Sequence, residues 1–79
     1  MLVLRREDPA RNMARFYCLS LEASLFGETM LVTRWGRIGT YGRRRATPYV
    51  DASAAEAALD VQTRLKIRRG YQRLGLASV

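Results

Sequence analysis

The run Thr33 to Arg45, TRWGRIGTYGRRR, holds the chain's single tryptophan, Trp35, among three glycines and five arginines, with no acidic residue between them. These residue types bind better than they react. A planar guanidinium makes paired hydrogen bonds to phosphate oxygens and stacks on flat rings, so Arg34, Arg37, Arg43, Arg44 and Arg45 suit a phosphate-bearing partner. An indole face stacks on a nucleobase or a sugar for roughly 1 to 3 kcal/mol, whatever the base sequence. Gly36, Gly39 and Gly42 allow positive φ and close backbone approach, so main-chain N–H groups could also meet a phosphate there.

A second basic block lies downstream at Arg64, Lys66, Arg68, Arg69 and Arg73. Of the 14 cationic side chains, 13 are arginine, and the formal net charge is +7. Residues 1–33 balance to zero and residues 46–60 sum to −3, so the excess lies in two blocks that folding could join into one basic face. Lys66, Arg68 and Arg69 therefore stand with Trp35, Gly36 and the five arginines of the run as candidate nucleic-acid contacts.

Catalysis has little to work with here. The chain has no histidine, which removes the commonest general base and the commonest metal ligand, and no nucleophile motif stands out. Glu7 with Asp8 and Glu56 with Asp60 read as loop and helix-surface charges. Cys18 is the only cysteine, so neither an internal disulfide nor a CxxC metal site exists, and its apolar neighbours make it a small hydrophobe. A chain of 79 residues affords one thin core and no deep cleft. The expectation is a non-enzyme without cofactor or metal. No apolar run approaches the roughly 20 residues of a membrane helix, and MLVLRREDPAR is too quickly charged for a signal peptide, so a soluble cytoplasmic domain is expected.

These side chains need elements to position them. MLVLRR reads as a first strand closed by a loop at EDPARN, where Pro9 and Asn12 punctuate the chain. ARFYCLSLEA alternates Tyr17, Leu19, Leu21 and Ala23 against Phe16, Cys18, Ser20 and Glu22, a second strand. After a turn at SLFG, ETMLVTRW is a third strand, antiparallel to the second, that ends at Trp35. RRRATPYV is a fourth, confined to an edge by Pro48. DASAAEAALDVQTRLKIRR predicts a helix with Ser53 and Glu56 as a capping box, an apolar stripe of Ala54, Ala58, Val61 and Leu65, and Gly70 as its terminator. Its acids precede its bases, as the helix dipole prefers. The fold class is α+β: one small antiparallel sheet of four to five strands with one α-helix packed on it.

WGRIGTYG between two antiparallel strands, with NMARFYCLSL upstream and a helix ending in KIRRGY downstream, resembles the WGR domain, named for the tripeptide at Trp35, Gly36 and Arg37. The resemblance runs from about Leu2 to Tyr71, within a single domain spanning residues 1–79. WGR domains occur in DNA-break-dependent poly(ADP-ribose) polymerases, where the module lies against the end of a broken duplex. The resemblance implies that Trp35 stacks on a terminal nucleotide, that backbone approaches closely at Gly36, and that Arg37 contacts DNA or links to a neighbouring domain. These residues include no transferase domain, so the chain is expected to resemble the free-standing bacterial versions, and the transferase activity is not carried over.

Two readings follow. The first is a non-catalytic module binding the backbone and ends of nucleic acid, DNA by preference with RNA left open; no recognition helix for the major groove is present to read sequence. The alternative is a protein-docking module whose arginine face meets an acidic partner with Trp35 as the anchor. Structural explanations compete residue by residue: Trp35 as cover for the sheet's end, Arg43 to Arg45 as guards against edge pairing, Arg64 and Lys66 as partners of the helix dipole, and Tyr17 and Tyr71 as packing residues.

Overall fold

The computed structural model describes residues 1–76. Strand β1 (Leu2–Asp8) leads through one 3₁₀ turn (Pro9–Arg11) into β2 (Met13–Ala23), followed by β3 (Thr29–Arg37), β4 (Arg43–Tyr49), helix α1 (Ala52–Arg68) and β5 (Gln72–Leu76). The five strands form one antiparallel sheet in the order β4-β3-β2-β1-β5, with α1 laid across one side of it. The α+β class and the single packed helix agree with the sequence pattern.

Strand alternation decides which residues meet the helix. Leu2 and Leu4 of β1, Tyr17, Leu19 and Leu21 of β2, and Leu31 and Trp35 of β3 share one side, since Leu4 pairs with Tyr17 and Tyr17 with Trp35. Leu4 and Leu19 are fully buried, and Tyr71, just past the helix, closes this core. Buried Thr33 donates its hydroxyl to the Arg45 carbonyl at 3.5 Å, so its oxygen is not left unpaired under the helix.

Besides β3 running two residues past Trp35 to Arg37, four local details differ from the sequence reading. First, β1 continues through Glu7 and Asp8, which pair with Ala14 and Met13, so the loop is shorter than EDPARN. Second, residues 72–76 form a fifth strand on the free edge of β1.

Third, the helix is capped by Asp51, whose carboxylate accepts from the Ala54 N–H at 2.8 Å, and not by Ser53, which lies inside the first turn. Asp51 is extended and stands one residue before Ala52, the geometry an N-cap requires. Fourth, the buried stripe is Ala55, Ala58, Leu59 and Thr63, while Val61 and Leu65 are 55% and 42% exposed. Thr63 tolerates burial because its hydroxyl donates to the Leu59 carbonyl at 2.8 Å. Of the expected stripe, only Ala58 packs on the core.

Gly70 ends the helix as expected. Its φ of +99° places it in the left-handed region, its N–H bonds the Ile67 carbonyl and the Tyr71 N–H bonds the Lys66 carbonyl, which is a Schellman closure. The turn directs Tyr71 back into the core.

Candidate nucleic-acid interface

Trp35 sits near the end of β3, two residues before its last residue, Arg37. One side of its indole lies over Tyr17, with ring centroids 6.2 Å apart and planes 28° from parallel. The ring is half-buried and packs on the core, yet it also borders two open hollows. One hollow, about 260 Å³, lies between the sheet and the last turns of α1 and is lined by Tyr17, Thr33, Arg45, Gln62 and Lys66 among others. The other, about 250 Å³, is formed with Ala14, Arg15, Gly36 and Arg37. Trp35 is thus at once a packing residue and a wall of both hollows.

Two glycines make this end of β3 possible. A Cβ on Gly36 would lie 2.8 Å from the Gly42 Cα, and one on Gly42 would strike the Trp35 carbonyl oxygen and come within 2.8 Å of the Phe16 ring. The chain after the motif therefore folds tightly back on Trp35. Gly42 has a φ of +79°, Gly39 one of +96°, and the Thr40 hydroxyl donates to the Arg37 carbonyl at 2.8 Å to close the turn. Gly36 itself has no positive φ, so close packing alone demands glycine there.

The arginine run divides by strand parity. Arg43 pairs with Trp35 and Arg45 with Thr33, so both point to the helix side, whereas Arg44 pairs with Arg34 and both point to the bare side. Arg37 faces the same way as Trp35. Its guanidinium donates to the Asn12 carbonyl at 3.3 Å and to Asn12 Oδ1 at 3.4 Å, tying the end of β3 to the turn before β2. Two of its five N–H donors are used in this way. Asn12 holds a left-handed φ of +52° to present both oxygens.

From the helix, Lys66 completes the cleft. Its ammonium lies 4.5 Å from the ring centre of Tyr17 and 5.5 Å from that of Tyr71. Burial pushes its pKa below the usual lysine value, and the nearby charges of Arg69 and Arg15 push the same way. Burial likewise raises the Tyr17 hydroxyl above its ordinary value, with the hydrogen bond to Thr33 opposing. Arg68, two residues from Lys66, falls on another side of the helix and is exposed.

Six of the ten sequence candidates, Trp35, Arg37, Arg43, Arg45, Lys66 and Arg69, thus share one side and one end of the molecule. Gly36 shapes the turn, and Arg34, Arg44 and Arg68 lie elsewhere. Arg15 and Gln62 belong to the group but were not singled out in the sequence. Arg15 has the same strand parity as Tyr17, which was the available signal. The ion pairs among the described residues are Arg5–Glu7, Arg11–Asp8 and Arg64–Asp60, so none of the cations beside Trp35 is neutralised by a carboxylate there.

A family model described as the WGR domain matches residues 1–77. The chain belongs to the WGR domain family. WGR domains are generally nucleic-acid-binding modules. An uncharacterized protein, y4dW of Sinorhizobium fredii (strain NBRC 101917 / NGR234), is 43% identical over 72 residues, which cover 90% of this WGR domain and 35% of that protein. The chain thus spans about a third of the length of this relative. No solved structure matches. Among the described residues, no helix is long and apolar enough to cross a membrane, and no group of histidine, cysteine or carboxylate side chains could hold a metal ion.

Proposed function

We propose that this WGR domain is a non-catalytic nucleic-acid-binding module that holds DNA by its backbone and ends on the helix-bearing side of the sheet. One observation carries the reading: a half-exposed tryptophan walls two hollows bordered by Arg15, Arg37, Arg45 and Lys66, with Arg43 paired beside it and Arg69 near Lys66, and none of these cations is ion-paired with an acid among the described residues. Phosphates would lie against the cations, and counterion release would supply most of the affinity. A terminal sugar or base would lie against the part of the indole that Tyr17 leaves uncovered. Arg37, anchored by Asn12, presents its remaining donors in a fixed direction.

Of the seven acids, Glu22 and Glu28 lie at the β2–β3 turn and Asp51 and Glu56 near the start of the helix, while Glu7 and Asp8, toward the Trp35 end of the sheet, are ion-paired with Arg5 and Arg11. A polyanion would therefore be steered to the Trp35 end. A titration of end-phosphorylated duplex, duplex closed by hairpins at both ends, single strand and RNA duplex over a salt series tests the reading. Open-ended DNA should bind most tightly, and every arm should weaken with salt. Absence of binding to any of the four at low salt would transfer the cleft to the alternative, an acidic protein partner anchored on Trp35.

A further inference from the structure

Arg34 and Arg44 take no part in the face just described, because strand alternation sends them to the side of the sheet that carries no helix. That side has relief of its own. Two open hollows of about 180 and 260 Å³ adjoin there, both bordered by Met1, Cys18 and Arg34. Val32, Tyr41 and Arg44 line the first, and Val3, Phe16 and Leu74 help to line the second. The second hollow is mostly apolar, unlike the polar cleft beside Trp35, while Ser20 and the acidic Glu22 also border the first. None of the residues lining these hollows lines either of the hollows at Trp35.

Arg34 stands between the two hollows. Its guanidinium carbon is 5.4 Å from the Phe16 ring centre and 4.9 Å from that of Tyr41, and Arg34 forms no ion pair among the described residues. Two rings hold the flat group in place, while its N–H donors lie in its plane and remain free to meet a planar acceptor. Such a fork matches a carboxylate with two parallel hydrogen bonds. The hollow bounded by Val3, Phe16 and Leu74 is largely apolar and suits an aliphatic side chain better than a nucleotide. A second copy of this face would set Arg34 and Arg44 against like charges.

We propose that the helix-free side of the sheet is a docking surface for an acidic, apolar peptide segment. A glutamate or aspartate carboxylate pairs with Arg34, and an adjacent apolar side chain enters the hollow bounded by Val3, Phe16 and Leu74. The inference stands apart from the nucleic-acid reading, since the two faces share no lining residue, and it lets one domain hold a nucleic acid and a protein together.

The test uses a fluorescein-labelled peptide alternating glutamate and leucine, with a glutamine–leucine peptide as the uncharged control. The first should bind and the second bind about tenfold or more weakly, the size expected when a charge-assisted hydrogen bond is lost. Arg34→Gln and Arg34→Lys should both lose the acidic peptide, since lysine keeps the charge but not the fork. Neither should weaken duplex DNA by more than about twofold, in contrast to variants of Arg43 or Arg45. Cys18, 7% exposed and lining both hollows, gives a local readout: bound peptide should slow its reaction with a maleimide, and bound DNA should not. Should Arg34→Gln prove unstable, Tyr41→Ser removes one of the two rings at a position that is 65% exposed, and should also weaken the peptide. Binding undiminished in these variants, or no binding of the acidic peptide, overturns the proposal. Loss of DNA affinity in Arg34→Gln equal to that in Arg43→Ala assigns this face to nucleic acid instead.

Discussion

Three consecutive arginines, Arg43, Arg44 and Arg45, look equivalent in the sequence and are not equivalent in the fold. Arg43 and Arg45 flank the Trp35 side of the sheet, and Arg44 projects from the other. Each phosphate neutralised on duplex DNA contributes about −0.9 to the slope of log affinity against log salt, so the double variant Arg43→Ala, Arg45→Ala should flatten that slope by about 1.8. Between about 50 and 200 mM salt a change of this size is worth roughly a factor of 12 in affinity, well within reach of fluorescence anisotropy on a labelled duplex. Arg44→Ala removes the same formal charge from the opposite side, beyond much of the screening distance of about 10 Å, and should change the slope by less than about 0.3. The triple variant should behave as the double. An Arg44→Ala variant that flattens the slope as much as Arg43→Ala would refute the division of the arginines by strand parity.

Three other consequences concern the framework that holds the cleft. Asp51→Ala should cost about 1 kcal/mol in urea unfolding while Ser53→Ala costs little, and Leu59→Ala should cost about 2 kcal/mol or more while half-exposed Leu65→Ala costs clearly less. Gly42→Ala should lose about 2 kcal/mol or more, because a left-handed φ and a collision with the Trp35 carbonyl oxygen act together, and thermal melts would register it. Burial raises the Tyr17 hydroxyl above 10.0 in the folded chain, so the unfolded chain releases that proton first and stability falls as pH rises past 10.0. The lowered Lys66 pKa acts with the opposite sign below 10.5, so Tyr17→Phe should remove the loss and leave a stability that holds or rises with pH over this window in urea titrations.

Much of the fold was legible because strand patterns and turn residues are local signals. The alternation of Tyr17, Leu19 and Leu21, the turn at SLFG, the edge position of Pro48 and the stop at Gly70 all rest on neighbouring residues, and each stands where its chemistry directs. The helix face was misread by one position. In a segment dominated by alanine the hydrophobic contrast is small, and the larger residues, Val61 and Leu65, drew the stripe away from Ala55 and Thr63. The cap was ambiguous for a related reason, since Asp51 and Ser53 both carry capping side chains and only the true helix start separates them. β5 was not located because QRLG offers no alternation; its place is fixed by the open edge of β1.

At the candidate site, types and positions were legible but sides were not. Period-two alternation applied to RRRATPY would have set Arg44 apart from Arg43 and Arg45, and applied to MARFY would have added Arg15. Treating the arginines as a block concealed both. The pairing of Arg37 with Asn12 joins residues 25 positions apart, and no local pattern announces it.

Because Trp35 is the chain's only tryptophan, its emission reports on one site. The central claim is that a nucleic-acid end lies against this indole, and titrating open-ended duplex into the protein at low salt while following both fluorescence and anisotropy tests it most directly. Quenching or a spectral shift should track binding, and should be larger with open-ended duplex than with duplex closed at both ends. Emission that stays unchanged while anisotropy reports full binding would contradict the claim and place the nucleic acid away from Trp35.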